Sequence, residues 1–416
     1  MDKSTLILAS GLVIYILASR LVMRCLRGGS REVVMALLNL AGVYIFFYSA
    51  NDDHAHHFNG ARLFVECVIL VLIQFVALRI FSDSKGWLSW LAFFCPIAAL
   101  IAVRYLPWPV WAGLSNLIYK FTKVGMVVPW VVGLSYLSFR CSRLALEVRN
   151  GTVEKPGLWQ YLGFAFFVPI IPLGPINTYA NFRRGFDIVP WNVPVSRAAL
   201  RVLVGLVKYE FLGGIFNQLS YGNYLLNGHP HHWIGLPIAM ISYFLYLYLN
   251  FSGFCDMAIG AAALIGIPVL ENFDNPLAAR NMKEVWNRWH ITLSQWMRDI
   301  VFAPLSKFLV RVMGPSRVNH AIALTILVVF LLIGIWHGVG WNYAIFGLFQ
   351  AIGVAANLYY TIGLKKWLGR DGFKAYNENR YIHALAVVST FCYYAATLIF
   401  FANTLPQIKD IFSVLR

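Results

Sequence analysis

Apolar runs about as long as a bilayer is thick follow one another along most of this chain, and no soluble fold could bury them all. Hydrophobic residues make up 59% of the 416 and charged residues 12%, against about 45–50% and about 25% in ordinary globular domains. A soluble enzyme of this composition would expose sticky surface everywhere, and disorder needs the opposite composition. What remains is a polytopic membrane protein, whose apolar surface is solvated by lipid. The net charge of +16 would suggest nucleic acid in a soluble protein. Here the cytoplasmic loops, which collect Lys and Arg, account for it. Such a basic inner face attracts acidic partners: anionic lipid, a coenzyme or an acidic carrier protein.

The placement of the basic residues predicts topology. Arg20, Arg24, Arg27 and Arg31 form one cluster, and none follows until Arg62. Between them lies Asn51-Asp52-Asp53-His54-Ala55-His56-His57, polar but not basic. By the positive-inside rule the arginine loop faces the cytoplasm, the His-rich loop and the N-terminus face out, and Arg79 and Lys85 mark the return. The first apolar run has its arginines after it, so it reads as a span and not as a cleavable signal. Two longer stretches lack Lys and Arg altogether: Tyr209 to Ala279, and Val318 to Leu364. The second is just long enough for two spans and a tight turn at about 20 residues per span. Its middle is Ile335-Trp336-His337-Gly338-Val339-Gly340-Trp341, which puts His337 deep in the membrane or near its outer side.

Two segments do not read as plain spans. Pro169, Pro172 and Pro175 cannot share one straight helix, and broken backbone at membrane depth must be buried in protein or line a cavity. Over 283–300, Trp286, Trp289, Leu293, Trp296 and Ile300 recur at helical spacing, with Asn287, His290 and Ser294 on another face. This predicts one amphipathic helix at the interface. The six cysteines have no metal-ligand spacing and read as small buried hydrophobes. No internal repeat is visible.

Nucleophile-elbow, P-loop and zinc-helix motifs are absent, which leaves ionisable residues within the membrane as candidates. His337 reads as a general base, since His titrates near neutral pH, or else as an interfacial His in an outer turn with tryptophans as a membrane belt. His290, in Trp286-Asn287-Arg288-Trp289-His290, reads as its substrate-orienting or acid/base partner, or as a polar-face His. His54, His56 and His57, and His229, His231 and His232, read as outer loops, with a metal site the lesser reading. His320 and His383 stand near span boundaries. Lys208, Glu210 and above all Asp256 lie in apolar surroundings, so Asp256 is expected to have an internal partner.

Several of these stretches resemble the membrane-bound O-acyltransferase (MBOAT) family, in its bacterial cell-envelope branch. The region from Asn250 to Asp299 reads NFSGFCDMAIG…ENFDNPLAARNMKEVWNRWHITLSQWMRD. Gly334-Ile335-Trp336-His337-Gly338 is similar to the W-H-G motif that carries that family's essential histidine. Gly133-Leu134-Ser135-Tyr136-Leu137-Ser138-Phe139-Arg140 and Gly174-Pro175-Ile176 match in order, so the likeness runs over about residues 130–360. Residues 281–290 lean toward the D-alanyl transfer protein of teichoic-acid modification, and Asp256-Met257-Ala258-Ile259-Gly260 toward the alginate O-acetylase type.

The resemblance implies an all-α polytopic membrane fold in the bacterial cytoplasmic membrane, formed as a single domain over residues 1–416. Its helices, about ten or eleven of them transmembrane, would form a ring with re-entrant and amphipathic helices around a central tunnel. It further implies a cytoplasmic thioester donor, either a carrier protein's phosphopantetheine arm or acyl-CoA. The acceptor hydroxyl would stand on the other side, on an envelope polymer or a relay protein. No resident cofactor and no metal is expected. His337 and His290 are the expected catalytic pair. Asn287, Trp286, Trp289, Arg288, Trp336, Ser252, Asp256 and Pro175 are expected to line the substrate path, and Arg298, Lys307 and Arg311 to dock the donor. A transporter or flippase of a lipid-linked precursor, or a non-catalytic export scaffold, is the alternative; transporters usually carry the repeats that this chain lacks.

Overall fold

The computed structural model describes residues 3–48, 60–84, 86–106, 133–187, 194–227 and 229–415. The expected outer loop with His54, His56 and His57 lies outside the described residues, as does Lys85. Among the described residues the secondary structure is helical, with isolated bridges in place of strands. Seven helices among the described residues are long and apolar enough to cross a membrane. The chain is a multi-pass membrane protein.

Contacts divide the chain into two compact units, one of residues 1–204 with 255–270, the other of 205–254 with 271–416. The first unit begins with α1 (Lys3–Cys25), α2 (Gly28–Val43), α3 (Gly60–Phe81), α4 (Ser89–Tyr105), α5 (Leu134–Arg149) and α6 (Leu158–Ala165). The prolines act as expected. Helix α6 stops at Ala165, a single 3₁₀ turn covers Val168–Ile170, and regular helix resumes only with α7 (Tyr179–Asp187). Almost all of this irregular stretch is buried in protein, as membrane-depth backbone without helix requires. Arg140 of α5 is buried; its Nη1 and Nη2 donate to the carbonyls of Phe164 (3.2 Å) and Ala165 (2.9 Å). A cation at a helix C-terminus satisfies carbonyls that the helix leaves open.

Helix α8 (Val195–Leu206) carries Arg201, whose Nε and Nη2 donate to Asp256 Oδ1 at 3.0 and 2.9 Å. Asp256 thus has the internal partner expected of it. A π turn over Val207–Leu212 and α9 (Gly213–Gln218) follow. This stretch holds Arg197, Arg201, Lys208 and Glu210, while Leu200, Leu203, Val207, Phe211 and Ile215 form an exposed apolar stripe for lipid.

The second unit takes residues 235–254 of α10 (Gly235–Ile265), then α11 (Met282–Arg288), α12 (Ile291–Met297), α13 (Ala303–Met313) and α14 (Val318–His337). It closes with α15 (Trp341–Glu378, interrupted at Gly369), α16 (Arg380–Thr397), α17 (Ile399–Ala402) and α18 (Leu405–Val414). The Lys- and Arg-free stretch 318–364 is the predicted hairpin, its turn only Gly338–Gly340. Helices α14 and α15 touch backbone to backbone, since a Cβ on Gly334 would fall 2.3 Å from the Tyr343 carbonyl oxygen and one on Gly347 2.4 Å from that of Phe330.

Two expectations need correction. Residues 283–300 are not one helix: α11 ends at Arg288, α12 begins at Ile291, and Arg298–Phe302 is a π turn. The cysteines are only partly interior, for Cys25 and Cys392 are exposed while Cys67, Cys141 and Cys255 are buried. Their helices present those two positions outward, where lipid or solvent accepts a thiol without penalty.

Candidate active site

The break between α11 and α12 is built from a segment eighteen residues earlier. His290 has φ 46° and ψ 50°, left-handed backbone that a residue with a Cβ adopts only when its surroundings impose it. Here they do. Residues 272–274 run antiparallel to 288–291: the Asp274 N–H donates to the Arg288 carbonyl at 2.9 Å and the Ile291 N–H to the Asn272 carbonyl at 3.0 Å. These bonds replace some of those lost where the helix stops. The Asn272 side chain, fully buried, adds three more. Its Oδ1 accepts from Thr292 N–H (3.2 Å), Thr292 Oγ1 (2.9 Å) and His290 Nδ1 (3.2 Å). A backbone N–H can only donate, so the atom facing His290 is the amide oxygen and Nδ1 carries the hydrogen. The lone pair of the neutral ring then sits on Nε2.

His290 is buried, with Phe251 against its ring at 4.9 Å. Burial, reinforced by nearby His337, holds its pKa well below the ordinary imidazole value. The Trp336 ring lies 6.2 Å from the His290 ring and 4.5 Å from the His337 ring. His337 is half-buried at the C-terminal end of α14, packed edge-on against Phe401 at 4.8 Å. The two predicted histidines are therefore brought together, although His290 is enclosed instead of facing solvent.

A cavity of about 500 Å³ leads toward this pair. Its walls are apolar, with Ile322, Ile326, Val329, Phe330 and Ile333 from α14 and Val354 and Leu358 from α15. Trp286, Asn287 and Ser294 line it from α11 and α12, and Lys283, Arg298 and Lys365 give it basic residues. It comes within one helical turn of both histidines, since Ser294 follows His290 by four residues and Ile333 precedes His337 by four. The Ser294 hydroxyl is buried without a hydrogen-bond partner among the described residues, so it is available to a bound group.

The remaining expected residues divide. Trp286 donates its Nε1–H to Gln350 Oε1 at 3.2 Å, and Gln350 Nε2 donates to Thr397 Oγ1 at 2.8 Å, tying α11, α15 and α16 together. Trp289 does not line the cavity; it packs in an aromatic cluster with Phe244, Phe273 and Tyr394. Arg288 lies 4.0 Å from Glu284, and Arg298 Nη2 donates to Asn287 Oδ1 at 3.2 Å. Ser252 is buried beside Phe251 in the same unit, whereas Asp256 and Pro175 belong to the other. Lys307 and Arg311 are exposed one turn apart on α13. Asn272 and Gln350 were not singled out in sequence; Gln350 offered the signal of a polar amide within an apolar run, whereas Asn272 stands beside Glu271, Asp274 and Asn275 and offered none.

Two other described histidines have partners of their own. His231 Nε2 is 3.0 Å from Asn227 Oδ1 and its ring packs on Tyr224, while His320 Nδ1 is 2.7 Å from the Tyr359 hydroxyl. Among the described residues no three His, Cys, Asp or Glu side chains converge as metal ligands would.

The profile of the membrane-bound O-acyltransferase family matches residues 75–377. A teichoic acid D-alanyltransferase of Streptococcus thermophilus is 28% identical over 367 residues, 85% of this chain and 84% of that protein. A peptidoglycan O-acetyltransferase of Helicobacter pylori is 38% identical over 247 residues, 55% of this chain and 43% of that protein. A probable alginate O-acetylase of Pseudomonas aeruginosa is 28% identical over 230 residues, 54% of this chain and 42% of that protein. With most of its length inside that profile, the chain belongs to the membrane-bound O-acyltransferase family and is an O-acyltransferase.

Proposed function

We propose that the protein moves a small acyl group, D-alanyl or acetyl, from a cytoplasmic thioester to a hydroxyl of a cell-envelope polymer, directly or through a relay protein. The observation that carries this reading is the 500 Å³ apolar cavity with basic residues that comes within a turn of both His290 and His337. Relatives named for D-alanyl transfer to teichoic acid and for acetyl transfer to peptidoglycan support both acyl groups. Orientation follows from charge. Arg311 and Arg317 flank the start of α14, and by the positive-inside rule that end is cytoplasmic. His337 then lies about 30 Å away along the helix, toward the outer face of the bacterial inner membrane, with the N-terminus also outside.

The donor is a phosphopantetheine thioester on an acidic carrier protein, or acyl-CoA; Lys307, Arg311 and Arg298 steer it, and the slender arm enters between α11–α12 and α14–α15. Asn287 and Ser294 offer hydrogen bonds along that path, and the Trp286 wall keeps water from the thioester. His337 removes the proton from the acceptor hydroxyl as its oxygen attacks the thioester carbonyl. The C–S bond breaks, an ester C–O bond forms, and the thiolate leaves and takes up a proton. His290, neutral and fixed by Asn272, positions the thioester. Asp256 with Arg201, and Pro175 in its buried segment, hold the scaffold.

The test is acyl transfer by the purified, reconstituted protein with varied donor and acceptor. His337→Ala should abolish transfer and keep donor binding. A His337→Ala protein with most of its kcat would overturn the assignment.

A further inference from the structure

Among the described residues, two side-chain hydroxyls line the apolar cavity, those of Ser294 and Thr361. They differ in what they bond. Thr361 Oγ1 donates to the Asn357 carbonyl at 2.8 Å, one turn back along its own helix, as Thr325 does to Ala321 and Ser306 to Ala303. A helical Ser or Thr commonly satisfies its hydroxyl in this way. Ser294 does not. Its backbone N–H donates to the His290 carbonyl at 3.0 Å and closes the first turn of α12, but its hydroxyl is buried with no hydrogen-bond partner among the described residues. The hydroxyls of Ser19, Ser82, Ser138 and Ser252 are also buried and unpartnered, yet none of them lines this cavity. An unmet hydroxyl in an apolar wall is unfavourable, and a ligand that brings an acceptor relieves it.

Position narrows the ligand group. Gly347 marks where α14 and α15 touch, and Asn357 and Thr361 lie ten and fourteen residues beyond it on α15. That places them about 15 and 21 Å away, toward the level where α14 begins. Ser294 instead stands one turn from His290, in a helix whose start is fixed by Asn272. His290 cannot itself donate to a substrate carbonyl: its hydrogen is on Nδ1, held by Asn272, and Nε2 only accepts. The Asn287 side chain is engaged by Arg298, and Trp336, another donor, does not line the cavity. A thioester carbonyl has no hydrogen to give, and its oxygen gains negative charge as a hydroxyl attacks the carbon. A fixed donor in a place shielded from water is what such an oxygen requires.

We propose that the Ser294 hydroxyl is the donor that holds the thioester carbonyl oxygen and the charge that develops on it. The proposal rests on the acyl-transfer reading and adds the group that takes the negative charge. As the acceptor oxygen bonds to the carbonyl carbon, its proton passes to His337. The carbonyl π pair moves onto oxygen, against the Ser294 O–H. The pair then returns, the C–S bond breaks, and the thiolate leaves and takes up a proton. Ser294 keeps its own proton throughout and forms no bond to the acyl group.

The test begins with the full-length protein in detergent and two pantetheine analogues that cannot transfer. One is a methyl ketone with CH2 in place of the thioester sulfur; the other is an S-ethyl thioether without the carbonyl. Titrated by tryptophan fluorescence, wild type should prefer the ketone about threefold to tenfold, as one neutral hydrogen bond provides. Ser294→Ala should lose that preference and keep its thioether affinity, while Ser294→Thr, which retains a hydroxyl, should keep the preference. In transfer from acetyl- or D-alanyl-pantetheine, Ser294→Ala should lower kcat about 10²–10³-fold, the range for a lost oxyanion donor, with Tm unchanged and Ser294→Thr largely restored. Wild type without a ketone preference overturns the proposal, as does the same preference in Ser294→Ala. So does an acyl group found on Ser294 by peptide mass spectrometry, and so does a raised donor KM with kcat near wild type, the mark of a bond to an amide of the arm. A Ser294-dependent ketone preference in a protein that transfers no acyl group would remove the acyl-transfer reading and leave the carbonyl site standing.

Discussion

His290 and His337 share Trp336 as a neighbour, yet the chain reaches them by different routes. His337 ends an uninterrupted apolar helix of 20 residues and stays half-buried beside a turn. His290 sits where a helix is interrupted, in left-handed backbone, 2% exposed, and is held by a side chain eighteen residues earlier. One position is set by length and hydropathy, the other by a tertiary hydrogen bond. The first arrangement leaves an imidazole accessible to an incoming hydroxyl; the second fixes one rigidly. The base and positioning roles proposed for them call for these two settings in turn.

The sharpest way to break that comparison is to remove each ring. His337→Ala should cost about 10²–10⁴-fold in kcat, the range for a lost general base. His290→Ala should keep residual turnover and raise donor KM, measured by steady-state kinetics with both substrates varied. Equal and complete loss in both would merge the two roles. Asn272→Ala comes next. It leaves Thr292 and His290 without their buried acceptor, at about 1–3 kcal/mol for each unsatisfied group, and should lower Tm in detergent. A Tm unchanged from wild type would show that the break stands without Asn272.

A third prediction concerns pH. The folded protein keeps His290 neutral, whereas the unfolded chain binds a proton there below about pH 6.5. Its contribution to stability is therefore full above that pH and declines as pH falls, by up to about 1.4 kcal/mol per unit. Tm measured from about pH 7.5 to 5 should fall more steeply in wild type than in His290→Asn; parallel curves would remove His290 as the cause. The smallest effect is expected from Lys307→Glu with Arg311→Glu, exposed on α13. Donor KM should rise several-fold, converging on wild type at high salt as screening takes over. A salt-independent KM would put docking elsewhere.

Much of this was legible before folding. Apolar run length and the Lys- and Arg-free stretch from Val318 to Leu364 predicted the α14–α15 hairpin with His337 at its turn. Three prolines predicted the irregular 166–178 segment, because a missing N–H and a fixed φ act locally. Of the stripe Trp286, Trp289, Leu293, Trp296 and Ile300, the first four are buried and Ile300 is half-buried, and the single helix it implied is broken. Periodicity records which side chains avoid water, and it survives a break that leaves them facing one core.

The residues alone thus determined what depends on chain-local physics: helix, span and turn. Tertiary structure alone decided which polar groups meet. Asn272 reaches His290, Gln350 bridges Trp286 and Thr397, and Arg201 finds Asp256 across 55 residues. Each of these pairs is specified by hydrogen-bond geometry in a buried, low-dielectric setting, where an unmet donor is costly. No periodicity along the chain encodes such a partner.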